Sequence, residues 1–218
     1  MHAQAITSVR WLLNELHDPF VMFPLQSIAR SLSEVAAESQ ESFCAREGPY
    51  GVARKFWGVP MEMLHEEIGL LIGSAFVLGQ ATLTQSIAIV SQLHHLSGRK
   101  ASILNRKHEL LEIEATRDPE TQMSHLVVID TAANFFKHHH EWPRDWHLSS
   151  EKGVQAKTTA NARTLGFSGH EITDNMHIAL RRMGIDQSNM ADIASTIQGW
   201  RERLAQKFSH ELGEPIDW

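Results

Sequence analysis

Residues 62 to 96 read EMLHEEIGLLIGSAFVLGQATLTQSIAIVSQLHHL, and this stretch decides the fold. It contains no proline, and no charged side chain lies between Ile68 and Ser91. Pro60 is suited to the first turn of a helix, and Gly98 to the left-handed residue that follows one. The stretch therefore predicts one long helix from about residue 60 to residue 96, longer than any other in the chain.

The same stretch is long enough to cross a bilayer, which needs about 20 apolar residues. Five polar side chains would then lie in the hydrocarbon region, where a single span offers no hydrogen-bonding partner: Gln80, Thr82, Thr84, Gln85 and Ser86. We therefore expect a helix that is buried on most sides within a bundle, and no membrane partner. Gly69 and Gly73, four residues apart, would allow another helix to approach closely.

Helical periodicity also dominates the remaining sequence. Further helices are predicted over residues 3–16, 25–40, 121–142, 154–165, 170–183 and 187–211. Glycine, proline and aromatic residues between Cys44 and Pro60 indicate a loop, and Pro143 ends the helix before it. No run of alternating or β-branched residues predicts a strand, so we expect an all-α fold: a helical bundle with a long central helix and a C-terminal helical extension. Residues 1–142 are expected to form the bundle core, and residues 143–218 a helical subdomain packed on it.

Composition and charge restrict the class of protein. Apolar residues make up 42% and charged residues 21% of the 218 residues, which is typical of a globular protein. The net charge of −6 argues against a strong, sequence-independent attraction to nucleic acid or anionic lipid. The single cysteine, Cys44, cannot form an intramolecular disulfide, and the N-terminal sequence lacks the pattern of a secretory signal. We therefore expect a cytoplasmic protein.

Histidine is unusually common, with fourteen in the chain and three in succession at 138–140. Successive helical residues point about 100° apart, so at most one or two of the three could share a site. The helix face of His138 carries several other polar residues: Asp130, Asn134, Lys137 and Glu141. An imidazole in that setting can transfer protons near neutral pH. The alternative is a hydrogen-bonded helix end, where histidines favour the negative end of the helix dipole.

Metal binding is a separate question. Glu62 and His65 have the Glu-x-x-His spacing that carboxylate-bridged two-metal bundles use twice, but no second copy is present. His94, His95 or His147 could complete a site only if the fold brought them there. No phosphate-binding loop, nucleophile elbow or dinucleotide fingerprint is present either. The sequence therefore predicts no metal and no cofactor.

A long helix followed by a helix that ends in Ala-Asn-Phe-Phe-Lys-His resembles the HEPN superfamily (higher eukaryotes and prokaryotes nucleotide-binding). The motif of that family is an arginine, a polar residue that is often asparagine, three further residues and a histidine. Asn134 and His138 align with it, whereas Ala133 replaces the arginine. The resemblance covers about residues 60 to 142. It implies a helical bundle, frequently dimeric, and many members are metal-independent ribonucleases in toxin–antitoxin, CRISPR and phage-defence systems.

The resemblance also implies roles for the motif: the arginine positions or stabilises the phosphate, and the histidine assists proton transfer at a dimer interface. With Ala133 the charge-stabilising donor is missing, and Lys137 cannot replace its bidentate grip. We therefore expect a HEPN-like protein with weakened or lost nuclease activity, which binds RNA or a partner protein, or forms a homodimer, in bacterial defence or a toxin–antitoxin module. One alternative is an active metal-independent ribonuclease with His138, Asn134 and Lys137 as catalytic residues. The other is a purely structural or interaction protein.

Overall fold

This computed structural model describes residues 3–47, 58–97, 106–147 and 156–216. The described residues form eight α-helices and no β-strand: α1 (Ala3–His17), α2 (Phe23–Glu47), α3 (Gly58–Ser97), α4 (Lys107–Leu110), α5 (His125–His138), α6 (Ala156–Leu165), α7 (Ile172–Arg182) and α8 (Asp192–Leu212). The all-α fold predicted from the sequence is confirmed. The long helix predicted at its centre is α3, which has 40 residues.

Helix α3 is the centre of the bundle, with α1, α2, α5, α7 and α8 packed around it. Two of its glycines lie where neighbouring helices come closest. A Cβ atom at Gly73 would overlap the ring of Phe136 on α5, and one at Gly69 would overlap the side chain of Thr173 on α7. Since a larger residue would force these helices apart, the two glycines fix how closely α5 and α7 approach α3.

Residues Met63–Ser97 of α3 are long and apolar enough to cross a membrane by length and composition, and no other described helix is. Half of the window that meets this test is buried within the protein, as in the core helix of a bundle. The polar side chains also have partners: Ser86 Oγ accepts a hydrogen bond from Arg201, and the hydroxyl groups of Thr82 and Thr84 donate to backbone carbonyls of the preceding turn. The length of α3 is therefore weak evidence for a membrane span.

One hydrophobic core runs through the described bundle. Residues from both ends of the chain belong to it, among them Leu13, Ile72, Phe135, Trp146, Trp200 and Leu204. The expected bundle core (1–142) and the expected C-terminal subdomain (143–218) thus contribute to the same packed interior. The boundary between them stays a prediction.

The loop before α3 begins later than predicted. Helix α2 continues through Cys44 to Glu47, although composition predicts a loop from residue 44. Residues 48–57 lie outside the described residues, as does Gly98, the expected cap of α3. Helix α3 begins at Gly58, which places Pro60 in its first turn as predicted.

The end of α5 and the start of α8 also differ from the prediction. Helix α5 ends at His138, and a short 3-10 turn leads to Trp142. Trp142 is extended (φ −82°, ψ 147°), because the ring of Pro143 disfavours a helical conformation in the preceding residue. Helix α8 begins at Asp192, after a separate 3-10 turn at Gln187–Asn189.

Candidate functional site

Helix α5 carries the residues that the sequence singles out. Ser124 caps its N-terminus, since its Oγ accepts a hydrogen bond from Val127 N at 3.1 Å and donates one to Leu111 O at 2.5 Å. The core face has no exposed surface at Val128, Ile129, Ala132, Ala133 and Phe135. The other face presents Asp130, Asn134, Lys137 and His138. These four lie at helical spacings and therefore form one row.

A glutamine from α3 connects three residues of this row. The Nε2 atom of Gln80 donates to Asp130 Oδ1 at 2.6 Å and to Asn134 Oδ1 at 3.0 Å. Its Oε1 atom accepts a hydrogen bond from Lys137 Nζ at 2.6 Å. Lys107, the first residue of α4, donates from Nζ to Asp130 Oδ1 at 2.6 Å. We call these five residues the Gln80 cluster: Gln80, Lys107, Asp130, Asn134 and Lys137.

The structure thus brings the predicted residues Asn134 and Lys137 together through a residue that sequence reasoning did not assign to the site. Gln80 is only 8% exposed. Because a buried amide without partners is costly, a glutamine in an uncharged apolar helix is itself a signal of polar partners on a neighbouring helix. That signal predicts the existence of a polar cluster, but it does not identify its members.

A cavity of about 510 Å³ opens beside the Gln80 cluster. Lys107 and Asp130 lie in its wall, together with Glu112 and, from α6, Lys157 and Asn161. The lining therefore has two ammonium groups against two carboxylates. A site for a polyanion would carry an excess of positive charge, which these residues do not supply.

His138 forms its hydrogen bond outside the Gln80 cluster. Its Nδ1 is 3.0 Å from Glu141 Oε1, and the two side chains are about half exposed. This bond is the main cause that lowers the pKa of Glu141, and the charges of His138 and His140 lower it further. When Nδ1 donates to the carboxylate, Nε2 remains as the atom that can take up a proton. His138 and Glu141 therefore form a pair suited to proton transfer, one helical turn after Asn134.

The other two histidines of the triplet have different roles. The Nδ1 atom of His139 lies 3.2 Å from Phe135 O and 3.3 Å from Phe136 O, so its N–H can cap the last carbonyls of α5. Its ring also contacts that of Phe135, with 5.3 Å between centroids. His140 is exposed and lies 3.7 Å from Glu141 Oε1. His138 is thus the member of the triplet on the polar row.

Ala133, at the position of the HEPN arginine, has no exposed surface. It is three residues after Asp130 and four before Lys137, and it lies on the buried side of that row. An arginine at this position would carry a guanidinium into an apolar core. The missing donor therefore cannot be restored at residue 133 without disturbing the packing.

Among the described residues, no group of three or more histidine, cysteine, aspartate or glutamate side chains could hold a metal ion. His65 instead faces α7, where its Nε2 lies 3.4 Å from Asp174 Oδ1 and its ring stacks on His177 at 6.0 Å. The side chain of Glu62 lies outside the described residues. The Glu-x-x-His pair is therefore not joined by further ligands in the described part of the chain.

Sequence patterns give no indication of a second group of titratable side chains, at the start of α5. His125, the first residue of that helix, lies in the wall of another cavity with Asp118, Arg181 and Arg182. The residues come from three separate segments, so no local motif marks them. The nearest signal is the pair of adjacent arginines at the end of a predicted helix.

No protein-family model, no curated protein and no solved structure matches this chain. Its function must therefore be argued from its own residues. The residues that carry the HEPN resemblance, Asn134 and His138, lie on one face of α5 and are held by different partners.

Proposed function

We propose that this chain is a HEPN-like helical protein that acts by binding and has lost efficient ribonuclease activity. One observation carries the proposal: Ala133, at the position of the family's arginine, is fully buried. Cleavage of a phosphodiester needs donors held at the developing negative charge. Lys137 is instead hydrogen-bonded to Gln80, and Lys107 is paired with Asp130. Each lysine is held by its partner, and neither supplies the two parallel donors of an arginine.

Large apolar side chains on the first two helices and on the turn between them are exposed and support a binding role: Trp11, Phe20, Phe23, Ile28 and Val35. We call these residues the N-terminal apolar surface. The exposed fractions of Phe20 and Phe23 are 81% and 67%. Exposed aromatic side chains of this size, close together in the chain, are typical of protein interaction sites.

The proposed occupant of this surface is a second copy of the chain. Ile28 and Val35 are seven residues apart and therefore lie on one face of α2. In an antiparallel pairing of two α2 helices centred near residue 32, each Ile28 would contact a Val35. This pairing is self-complementary in apolar contact, as a twofold interface requires.

The resemblance to HEPN proteins adds the setting: a cytoplasmic protein in bacterial defence or a toxin–antitoxin module. RNA is the less favoured ligand in this proposal, because the net charge is −6 and the cavity beside the Gln80 cluster carries balanced charge. A partner protein other than a second copy would use the same apolar surface.

The second candidate function is a metal-independent ribonuclease, and the hydrogen bond between His138 and Glu141 favours it. In this reading the Nε2 of His138 takes a proton from the attacking ribose hydroxyl, while Glu141 holds the ring. Asn134 and Lys137 would orient the phosphate. Lys137 would do so with an N–H that its bond to Gln80 does not use.

Cleavage of a mixed labelled RNA pool in excess EDTA distinguishes the two functions. The wild-type chain, His138→Ala and the matched control His140→Ala would be compared, each with its fold checked by circular dichroism. The binding proposal expects no cleavage by any of the three. Cleavage by wild type and His140→Ala that is lost in His138→Ala would overturn the proposal and establish the ribonuclease.

The mass of the chain in solution, measured by light scattering after gel filtration, tests the proposed occupant. We expect a dimer for the wild type and a monomer for Val35→Glu, because the new charge would lie in the apolar contact. Ala37→Glu is the matched control, since Ala37 is exposed on another side of α2 and should leave the dimer intact. A monomeric wild type, or equal masses of the two variants, would contradict the pairing.

A further inference from the structure

A second cavity, of about 640 Å³, lies at the N-terminal end of α5. Its wall is made by the turn at residues 117–120, by His125 of α5, by the end of α6 and by the last turn of α7. We call it the Arg182 cavity. Asn134, Lys137 and His138 do not line it, so it is separate from the row on α5.

The buried imidazole of His125 faces this cavity. His125 is 9% exposed, and it lies in the cavity wall. Burial lowers the pKa of His125, while the negative charge of Asp118 acts in the opposite direction. A lowered pKa favours the neutral ring, which presents one N–H and one lone pair. An imidazole in the wall can therefore hydrogen-bond to a molecule in the cavity.

Two adjacent guanidinium groups line the same cavity. Arg182 donates from Nε to Leu165 O at 3.2 Å, and its Nη1 is hydrogen-bonded to Glu120 Oε2. Its side chain is mostly buried, with 19% of the surface exposed. Arg181 forms no ion pair with any described residue. The cavity thus offers donors from two arginines in addition to His125.

The carboxylate of Glu120 already occupies one of these donors. Its side chain is 75% exposed and reaches Arg182 from the turn outside α7. Because the Glu120 side chain is largely in solvent, an anion from solution can take its place at Arg182. The second carboxylate, Asp118, is held in place by Thr121, which donates from N at 2.9 Å and from Oγ1 at 2.5 Å. Glu120 is therefore the group that would move when an anion enters.

We propose that the Arg182 cavity binds a small molecule that carries a phosphate group, held between Arg181 and Arg182 and hydrogen-bonded to His125, with Glu120 displaced. Three donor residues match the three or more oxygens of a phosphate better than the two oxygens of a carboxylate. Arg117 also lies in the wall, but its Nη2 is paired with Glu112 Oε2 at 2.8 Å, so Arg181 and Arg182 are the arginines that would hold the ligand. Leu165, Ile178 and Met183 also lie in the wall and would contact the apolar remainder of the ligand. The volume is within the usual range for small-molecule sites.

Isothermal titration of the full chain with phenyl phosphate at constant ionic strength tests the proposal. Arg182→Gln should weaken binding by about tenfold or more, because a charge-assisted donor is lost. Glu120→Gln should tighten binding several-fold, because it removes the competing carboxylate. The two substitutions break the same ion pair, so opposite effects on affinity identify a ligand site. A purely structural ion pair would change stability in both variants and affinity in neither.

Arg203→Gln is the matched control, since it removes the same charge from α8 outside the cavity, and its affinity should equal that of the wild type. If Arg182→Gln does not fold, the exposed Arg181→Gln takes its place and should also weaken binding. Absence of saturable binding by both the wild type and Glu120→Gln would overturn the proposal. Tighter binding of benzoate than of phenyl phosphate would show that the cavity prefers a carboxylate, and would contradict a ligand with a phosphate group. Inorganic phosphate should bind more weakly than phenyl phosphate. Equal affinities would contradict the contact proposed between the apolar wall and the remainder of the ligand.

Discussion

Replacement of Arg201 by methionine should destabilise the fold by about 3 kcal/mol. Arg201 has no exposed surface. Its Nη2 donates to Glu15 O at 2.6 Å, its Nε to Leu16 O at 3.2 Å and its Nη1 to Ser86 Oγ at 2.9 Å. The guanidinium therefore joins the C-terminal end of α1, whose carbonyls lack partners within the helix, to α3 and α8.

The magnitude follows from the groups that methionine leaves behind. Methionine fills the space of the aliphatic stem but donates no hydrogen bond, so three acceptors lose their donor. An unsatisfied buried acceptor costs about 1–3 kcal/mol, which gives about 3–9 kcal/mol in total. The desolvation of the buried guanidinium in the wild type offsets part of this cost. Desolvation lowers the pKa of Arg201, although the charges of Glu15 and Asp18 raise it. Removing that desolvation returns several kcal/mol, and a net loss of about 3 kcal/mol remains.

Urea unfolding followed by circular dichroism measures this loss. Arg203→Met is the matched control, because Arg203 lies further along α8 and donates to Glu114 O in an exposed hydrogen bond. The control should lose less than about 1 kcal/mol. The reasoning is refuted if Arg201→Met lies within about 1 kcal/mol of the wild type at an unchanged m-value, or if both variants lose the same amount.

Three further outcomes are expected. Gly73→Ala should destabilise the fold by about 1–3 kcal/mol, because the new methyl group would overlap an aromatic ring. Gly199→Ala meets only the end of a flexible side chain and should be neutral or stabilising by up to about 1 kcal/mol. Equal shifts of the two melting temperatures would contradict this. Gln80→Leu should lower the free energy of unfolding by about 1–3 kcal/mol, since Asp130 and Lys137 lose their common partner, and an unchanged urea midpoint would argue against the cluster. Burial holds the pKa of His125 below its ordinary 6.5, so the unfolded chain binds the proton more readily and stability should fall as pH drops from 6.5 towards the folded-state pKa. His125→Asn should reduce this dependence of the free energy of unfolding on pH. If unfolding curves at several pH values gave the same pH dependence for the wild type and the variant, the lowered pKa of His125 would be contradicted.

The all-α class could be predicted from the sequence because its signals are local. The stretch from Ile68 to Ser91 has no charge and no proline, and an uninterrupted apolar run of this length indicates one long helix. The same reasoning was wrong about the last turn of α5. Periodicity continues past His138, whereas the backbone leaves the α-helix there (φ −126°, ψ 2°), four residues before Trp142, the residue that Pro143 constrains.

The polar row on α5 could also be predicted, since Asn134 and Lys137 are three residues apart on one helix. Its connection to Gln80 could not. That hydrogen bonding depends on how far α5 is shifted along α3. The shift is set where the ring of Phe136 packs against Gly73, a position that has no room for a Cβ atom. A single sequence shows the glycine and the glutamine but not the alignment of the two helices.

The Arg182 cavity lies beyond what sequence patterns can predict. Asp118 and Arg182 are far apart in the chain, yet their side chains approach to 3.7 Å. The approach requires α7 to pack beside the N-terminal end of α5. Each residue has an ordinary explanation on its own, as a turn residue or as the basic end of a helix, so only their meeting indicates a site.

The hydrogen bond between Lys137 and Gln80 also separates the two functional hypotheses energetically. Lys137 Nζ has further N–H groups and could donate to a phosphodiester, but its bond to Gln80 restricts where the ammonium can lie. A single ammonium is a point charge, whereas an arginine places two parallel donors at the oxygens where negative charge grows in the transition state. A ribonuclease on this row would therefore rely on proton transfer by His138 with little charge stabilisation, whereas a binding protein needs no such donor.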